Sequence, residues 1–455
     1  MSAFSVDGLR VTVAGAARSG IAVAELLASR GAEVTISEAR SVVPEADRLQ
    51  ARGVHLETGG NRHATFTNAD LVVLSPGVPI EQPSVAAARA RGVPIVGELE
   101  VASRWLKGRL VAITGTKGKS TTTTLAGRML EASGVRARVG GNIGVPLSAQ
   151  VDDSTPDTVH VVEVSSFQLD TVDTFHPWVA ALLNFSADHL DRHPGVAAYA
   201  AAKARIFENQ DENDWAVVNA DDPDAIAIAA DSRARRRWFG FEALEVGVTV
   251  SGDAVVERSA DAEVPLVPVS ALQVSGRHIV ADVLAAAAVS RLAGATPEGI
   301  SRAVTGFTGL PHAMELVARV GSVAFVNDSK ATNIVSARNS IESVDAGLVA
   351  IVGGRYKGGD FRDLREPLRT RARAVVAIGE AAALVEDALG DLLPVHRAAS
   401  MDDAVRCAFG LAPVGGTVLL APACSSFDMF ADYMERGDRF KEVVARLAAE
   451  AASRR

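Results

Sequence analysis

The segment from Leu110 to Thr121 constrains this chain more than any other. Leu110-Val111-Ala112-Ile113-Thr114 is an apolar run rich in β-branched residues, the signature of a buried strand. Gly115-Thr116-Lys117-Gly118-Lys119-Ser120-Thr121 follows without a break, and a helical pattern continues to about Ala132. A strand that passes through a glycine turn into a helix opens a βαβ unit, and such units build parallel sheets covered by helices. The N–H groups of the turn and of the first helical turn converge on one anion. In that geometry Lys119 pairs with the terminal phosphates of a nucleotide, and the Ser120 hydroxyl ligates Mg²⁺. The usual phosphate loop has four residues between its glycines. Here only Thr116 and Lys117 separate Gly115 from Gly118, so the loop is a shortened one.

The same alternation recurs on both sides. Strand-type runs at Leu9–Ala14, Ala32–Ser37 and Leu71–Leu74 are joined by a small-residue turn over Gly15–Gly20, a helix over Ile21–Ser29 and the turn Ser75-Pro76-Gly77. Further strands are expected at Val159–Val164 and Val179–Leu183, a small β excursion between Glu242 and Val269, and a long helix over Ile279–Ala293. A third group has strands at Val323–Val326, Leu348–Val352, Ala374–Ile378 and Thr417–Ala421. A length of 455 residues suits about three domains. The expected fold class is therefore α/β, with breaks near Gly97 and Gly309. Ligands of open α/β sheets bind at the C-terminal ends of the strands, so the loops there hold the candidates.

Charge and cysteine content narrow the function. Lys+Arg is 46 and Asp+Glu is 55, giving −9, which argues against a general nucleic-acid or anionic-membrane binder. Cys407 and Cys424 make neither a disulfide framework nor a four-ligand zinc site and read as buried free thiols. No apolar run is long enough to span a bilayer, and Val11–Ala17 reads as a strand rather than a leader, so the expected compartment is the cytoplasm. Lysine is rare: 107, 117, 119, 203, 330, 357 and 441 are the only positions. A lysine in so arginine-rich a chain hints at a compact charge or a reactive amine.

Other strand ends carry chemistry. Glu163 closes one buried strand, and Asp188-His189-Leu190-Asp191 follows the next; Glu163 and His189 are candidates for a Mg²⁺ site. Lys203 lies in an Ala-rich helical stretch, where a solvated lysine would be the ordinary expectation. Asn327–Asn333, Gly353–Asp360 and Ala421–Asp428 are three polar or glycine-rich loops at strand ends of the last domain.

Taken with Gly141-Asn142-Ile143-Gly144, Glu163-Val164-Ser165-Ser166-Phe167-Gln168-Leu169, Asp188–Arg192 and Gly309-Leu310-Pro311-His312, these segments resemble the Mur ligases. Mur ligases are ATP-dependent amide-forming enzymes of peptidoglycan synthesis. The resemblance implies a Rossmann-like N-terminal domain at 1–97 for a UDP-substrate, a central P-loop ATPase domain at 98–309 and a Rossmann-like C-terminal domain at 310–455 for an amino acid. It implies UDP-N-acetylmuramoyl-L-alanine and D-glutamate as the small-molecule partners, ATP and Mg²⁺ as cofactors, and a monomer. Arg18, Ser19, Arg40, Gly77 and Asn142 would then contact the UDP-substrate. Gly115, Thr116, Lys117, Gly118, Lys119, Ser120, Thr121, Asp282 and Asp328 would contact ATP. Ser120, Glu163, His189 and Lys203 would serve the metal, Lys203 as a CO₂-derived carbamate. Lys119, His189, Lys203, Asp328 and Lys330 form the expected catalytic set, and Thr332, Lys357, Ser426, Phe427 and Tyr433 the D-glutamate pocket. Lys117, Ile279, Asp282 and Ala313 depart from the family pattern, all on the expected ATP side. A regulatory homologue and a ligase for another amino acid are the alternatives.

Overall fold

A computed structural model describes residues 4–43, 45–189, 192–273, 276–356 and 358–453. The chain forms two compact units, Met1–Phe307 and Thr308–Arg455. Three sheets, each with parallel strands at its centre, organise the described residues.

The first sheet is wholly parallel, in the order His55–Thr58, Glu33–Glu38, Arg10–Ala14, Leu71–Leu74, Ile95–Gly97. Val11, Val13, Val34, Ile36, Leu71 and Val73 bury one core beneath it. The expected turn over Gly15–Gly20 is shorter than the sequence suggests, because the helix already starts at Arg18 and runs to Ser29. Gly20 belongs to that helix for a packing reason: a Cβ there would lie 2.0 Å from the Gly15 carbonyl oxygen.

The second sheet has nine strands. Its parallel body runs Arg235–Phe239, Trp215–Asn219, Val179–Leu182, Arg109–Thr114, Val159–Glu163, Ala137–Gly141. The β excursion extends that sheet: Gly247–Ser251 joins Arg235–Phe239 in parallel, and Ala254–Arg258 and Glu263–Pro268 follow antiparallel. The strand Arg109–Thr114 lies between two parallel neighbours, which explains its unbroken apolar character. The two sheets of this unit share a core, since Leu26, Leu99 and Ala102 pack in one cluster with Leu147 and Val151. Buried carboxylates join them as well. Glu98 accepts from the Ser148 N–H at 2.6 Å, and Glu100 accepts from the N–H groups of Asp173, Thr174 and Phe175.

The second unit holds a six-stranded sheet, Glu315–Val320, Val323–Asn327, Thr417–Leu420, Leu348–Gly353, Ala372–Ile378, Val395–Ala398. Only the first pair is antiparallel. Cys424 is buried as expected, whereas Cys407 is only partly covered, because its helix Met401–Leu411 lies at the rim of the core. Among the described residues, no helix is long and apolar enough to cross a membrane.

Candidate active site

Gly118 makes the phosphate loop possible. It adopts φ +81° as the residue before the helix Lys119–Ala132, a conformation that favours glycine. A Cβ at Gly118 would also lie 2.1 Å from the Asp282 Oδ1. The Lys119 ammonium curls back over the turn and donates to the carbonyls of Gly115 (3.0 Å) and Thr116 (2.9 Å). Asn184, just beyond the strand Val179–Leu182, braces the turn from below. Its Oδ1 accepts from the N–H groups of Thr116 (3.1 Å) and Lys117 (2.9 Å), and its Nδ2 donates to the Lys117 carbonyl. Sequence reading missed Asn184; its signal was a polar side chain at the end of an apolar strand.

Glu163 is 2% exposed at the end of its strand. It accepts from the Ser120 hydroxyl at 2.6 Å and from the Asn142 amide at 2.7 Å. The Asn142 N–H also donates to the Glu163 carbonyl, at 2.9 Å. A helix start, a loop and a strand end thus meet at one carboxylate. The donor chemistry suits Mg²⁺, which prefers hard oxygen ligands such as the Ser120 hydroxyl and the Glu163 carboxylate.

Lys203 is no solvated lysine. It is 1% exposed on the helix Val196–Ala204, and its ammonium lies 4.7 Å from the centre of the Tyr199 ring. It donates to the Gly115 carbonyl at 2.7 Å and to the Thr114 hydroxyl at 3.4 Å. Burial, with repulsion from Lys119 added, pushes its pKa down to about 7, while Asp188 opposes the shift. The amine itself offers Mg²⁺ no oxygen; a carbamate would. His189 has φ +53° and packs edge-on against Phe167, with ring centres 5.0 Å apart. Its Nε2 is 3.9 Å from the Asp188 carboxylate. Leu190 and Asp191 lie outside the described residues.

Asp282 lies on the helix Arg277–Leu292 with 8% exposure, and its carboxyl accepts from the Thr122 hydroxyl at 3.4 Å. Burial pushes its pKa up to about 8. Its Oδ1 lies against the loop's glycine, Gly118.

The N-terminal candidates cluster at the C-terminal ends of the first sheet's strands. Arg40 forks onto Glu38, with Nε–Oε1 and Nη2–Oε2 both 3.1 Å, and holds that carboxyl down to about 2. Glu38 in turn accepts from the Ala16 N–H at 2.7 Å, which fixes the glycine turn. Arg18 is exposed and reaches the Gly144 carbonyl at 3.4 Å, Ser19 is half-buried beside it, and Gly77 is exposed in its own turn.

In the second unit, Asp328, Lys330 and Thr332 follow the strand Val323–Asn327. Asp328 uses both carboxyl oxygens locally, accepting from the Met314 N–H at 3.2 Å and from the Ser340 hydroxyl. Burial raises its pKa, with Lys330 pulling the other way. Ser426 is buried, Phe427 is exposed, and Tyr433 opens the helix Tyr433–Ser453. Arg436, which sequence reading also missed, is 2% exposed and ties these loops together. It donates to the Ser329 hydroxyl and carbonyl (both 2.9 Å) and to the Cys424 carbonyl (3.1 Å). An arginine on an amphipathic helix carries no sequence mark of burial. Lys357 lies outside the described residues.

Comparison with known proteins gives three family matches in chain order. Residues 9–97 match the MurD-like N-terminal domain of Mur ligases, 113–290 the Mur ligase middle domain and 313–424 the Mur ligase glutamate ligase domain. A protein of Acidobacterium capsulatum named UDP-N-acetylmuramoylalanine–D-glutamate ligase is 44% identical, with 96% of each chain covered. A protein of the same name from Koribacter versatilis is 42% identical over 98% of this chain and 99% of its own. The fold is shared with UDP-N-acetylmuramate-alanine ligase of Thermotoga maritima, at TM-score 0.59, 19% identity, and 96% and 99% coverage. A pseudomurein peptide ligase type C of Methanothermus fervidus shares it at TM-score 0.57, 18% identity, and 97% and 100% coverage.

Proposed function

The chain belongs to the Mur ligase family, and from that premise we propose that it joins D-glutamate to UDP-N-acetylmuramoyl-L-alanine at the expense of ATP. One observation carries the substrate pair: relatives that are 41–44% identical over nearly their whole length share the D-glutamate ligase name. The alternatives, a regulatory homologue or a ligase for another amino acid, have no observation of that kind behind them.

The division of labour follows the strand ends. Residues 1–97 hold the UDP-substrate through Arg18, Ser19, Arg40 and Gly77, with Asn142 reaching it from the central domain, 98–309. Residues 310–455 bring D-glutamate through Thr332, Lys357, Ser426, Phe427 and Tyr433. The substrate carboxylate is anionic and has no good leaving group. It attacks the γ-phosphorus of ATP, ADP departs, and an acyl phosphate forms. The amine of D-glutamate then attacks the acyl carbon, and phosphate leaves. Gly115 to Thr121 cradle the phosphates, and Lys119 swings from its loop carbonyls to offset charge on the transferring group. Ser120 and Glu163 would hold Mg²⁺, with His189 as a further ligand; the ion would neutralise phosphate charge. Lys203 would join that set as a carbamate, which the depressed pKa of its amine supports, because only a neutral amine adds CO₂. Asp328 and Lys330 serve the ATP side from the C-terminal domain. A monomer acting in the cytoplasm completes the proposal.

The test is ADP release from ATP and Mg²⁺ with UDP-N-acetylmuramoyl-L-alanine, with and without D-glutamate, L-glutamate being the control. Release that needs both substrates and rejects L-glutamate is the expected result. Release with another amino acid would overturn the assignment.

A further inference from the structure

The carboxyl of Asp282 lies beside the glycine that opens the phosphate loop's helix. Its Oδ1 sits over Gly118, at the positive end of the helix Lys119–Ala132, close enough that a Cβ on Gly118 would meet it at 2.1 Å. Among the described residues, the groups that act on this carboxyl are the hydroxyls of Thr122 and Thr121. A carboxylate at that place would be an internal anion beside the phosphate loop. A neutral carboxyl would not.

We propose that Asp282 couples nucleotide binding to proton uptake: the loop accepts phosphates while the Asp282 carboxyl carries a proton, and resists them once it is ionised. This rests on the reading of Gly115 to Thr121 as the nucleotide loop. Asp282 is 8% exposed, and burial favours the neutral form of a carboxyl. Its pKa of about 8 places the switch just above neutrality. An arriving phosphate adds negative charge, which raises that value further, so binding takes up a proton. Asp282 is a positioning residue in this scheme. It sets which charge state of the loop meets the nucleotide and transfers no proton to a reacting atom.

The other ionisable groups near the loop include Lys117 and Lys119 within it, Glu163 at the Ser120 hydroxyl, Lys203 beneath Gly115, and His278 one turn earlier on the helix of Asp282. Burial and Lys117 keep His278 low, so it stays neutral through this range. Lys203 also titrates near neutrality and would gain a proton when an anion binds. The test must therefore separate Asp282 from Lys203.

Isothermal titration of the full chain with ADP and Mg²⁺, from pH 7 to pH 9 and in two buffers of different ionisation heat, gives both affinity and proton uptake. Affinity is expected to weaken by up to about tenfold from pH 7 to pH 9, with net proton uptake near pH 8. Asp282→Asn keeps the shape and hydrogen-bonding capacity of the side chain without its titration. It should flatten the fall above pH 8 and remove the matching share of proton uptake. Uptake that is the same in both proteins would overturn the proposal and assign the proton to Lys203. A wild-type affinity that does not change between pH 7 and pH 9 would overturn it with no variant needed. Absence of ADP binding at every pH would overturn the nucleotide loop and this proposal together.

Discussion

Replacing Lys203 with Met tests the buried amine through stability alone. Met has a similar volume and no charge, so it fills the space beside Tyr199 without a burial penalty. In the folded chain the amine titrates at about 7, against 10.5 for the ordinary side chain. Between those values the unfolded chain holds the proton and the folded chain does not. Stability of the wild type therefore rises with pH across that window, by about 1.4 kcal/mol per unit. The full window of 3.5 units corresponds to roughly 5 kcal/mol as an upper bound. Below pH 7 both states are protonated, and the burial penalty is at its full size. Lys203→Met has no such slope. The wild type should gain on the variant by about 3 kcal/mol between pH 7.5 and pH 9.5. Urea unfolding followed by tryptophan fluorescence measures this cleanly. Trp105, Trp178, Trp215 and Trp238 are the four tryptophans, and all lie in the unit that contains Lys203. Curves that stay parallel across this range would refute the depressed amine and the carbamate argument built on it.

Gly118→Ala should weaken ADP binding at least tenfold and destabilise the first unit by about 1–3 kcal/mol, because it forces a Cβ into φ +81° and against Asp282; titration calorimetry and urea unfolding would show both. Arg436→Met should lower the melting temperature of the second unit and raise the KM for D-glutamate more than it lowers kcat. It removes the guanidinium hydrogen bonds to the Ser329 and Cys424 carbonyls, at about 0.5–3 kcal/mol each. An unchanged KM would show that the loops keep their shape without it. Lys203→Ala should lose activity and regain part of it with added short carboxylic acids, and failure of that rescue would count against a carbamate.

The sequence shows clearly what neighbours along the chain decide. The strand Arg109–Thr114, the left-handed Gly118 and the helix from Lys119 follow from residues within a dozen positions of each other. Arg235-Arg236-Arg237-Trp238 shows the opposite case. No strand is expected there from the sequence, yet the run forms one beside Trp215–Asn219, with Arg237 paired to Glu257 and Arg235 over the Trp215 ring at 4.3 Å. Glu100 likewise carries no mark in the sequence of its partners: it is fully buried and accepts from a loop 73 to 75 positions away. In the site the same division holds. Glu163 and Lys203 could be picked out by type and by resemblance, but not the burial that lowers the lysine.

The residues that tune the site act over still longer separations. Asp282 meets Thr122 across 160 positions, and Arg436 meets Ser329 across 107. Neither residue type marks its own burial, and in each case burial supplies the consequence: a carboxyl that keeps its proton to about 8 and a guanidinium lowered to about 10. A motif therefore locates the chemistry of this chain, while the charge state in which that chemistry operates depends on which distant side chains close over the motif. The pH dependence of ADP binding and of unfolding reads that second layer directly, since a substitution such as Asp282→Asn leaves every residue of the motif in place.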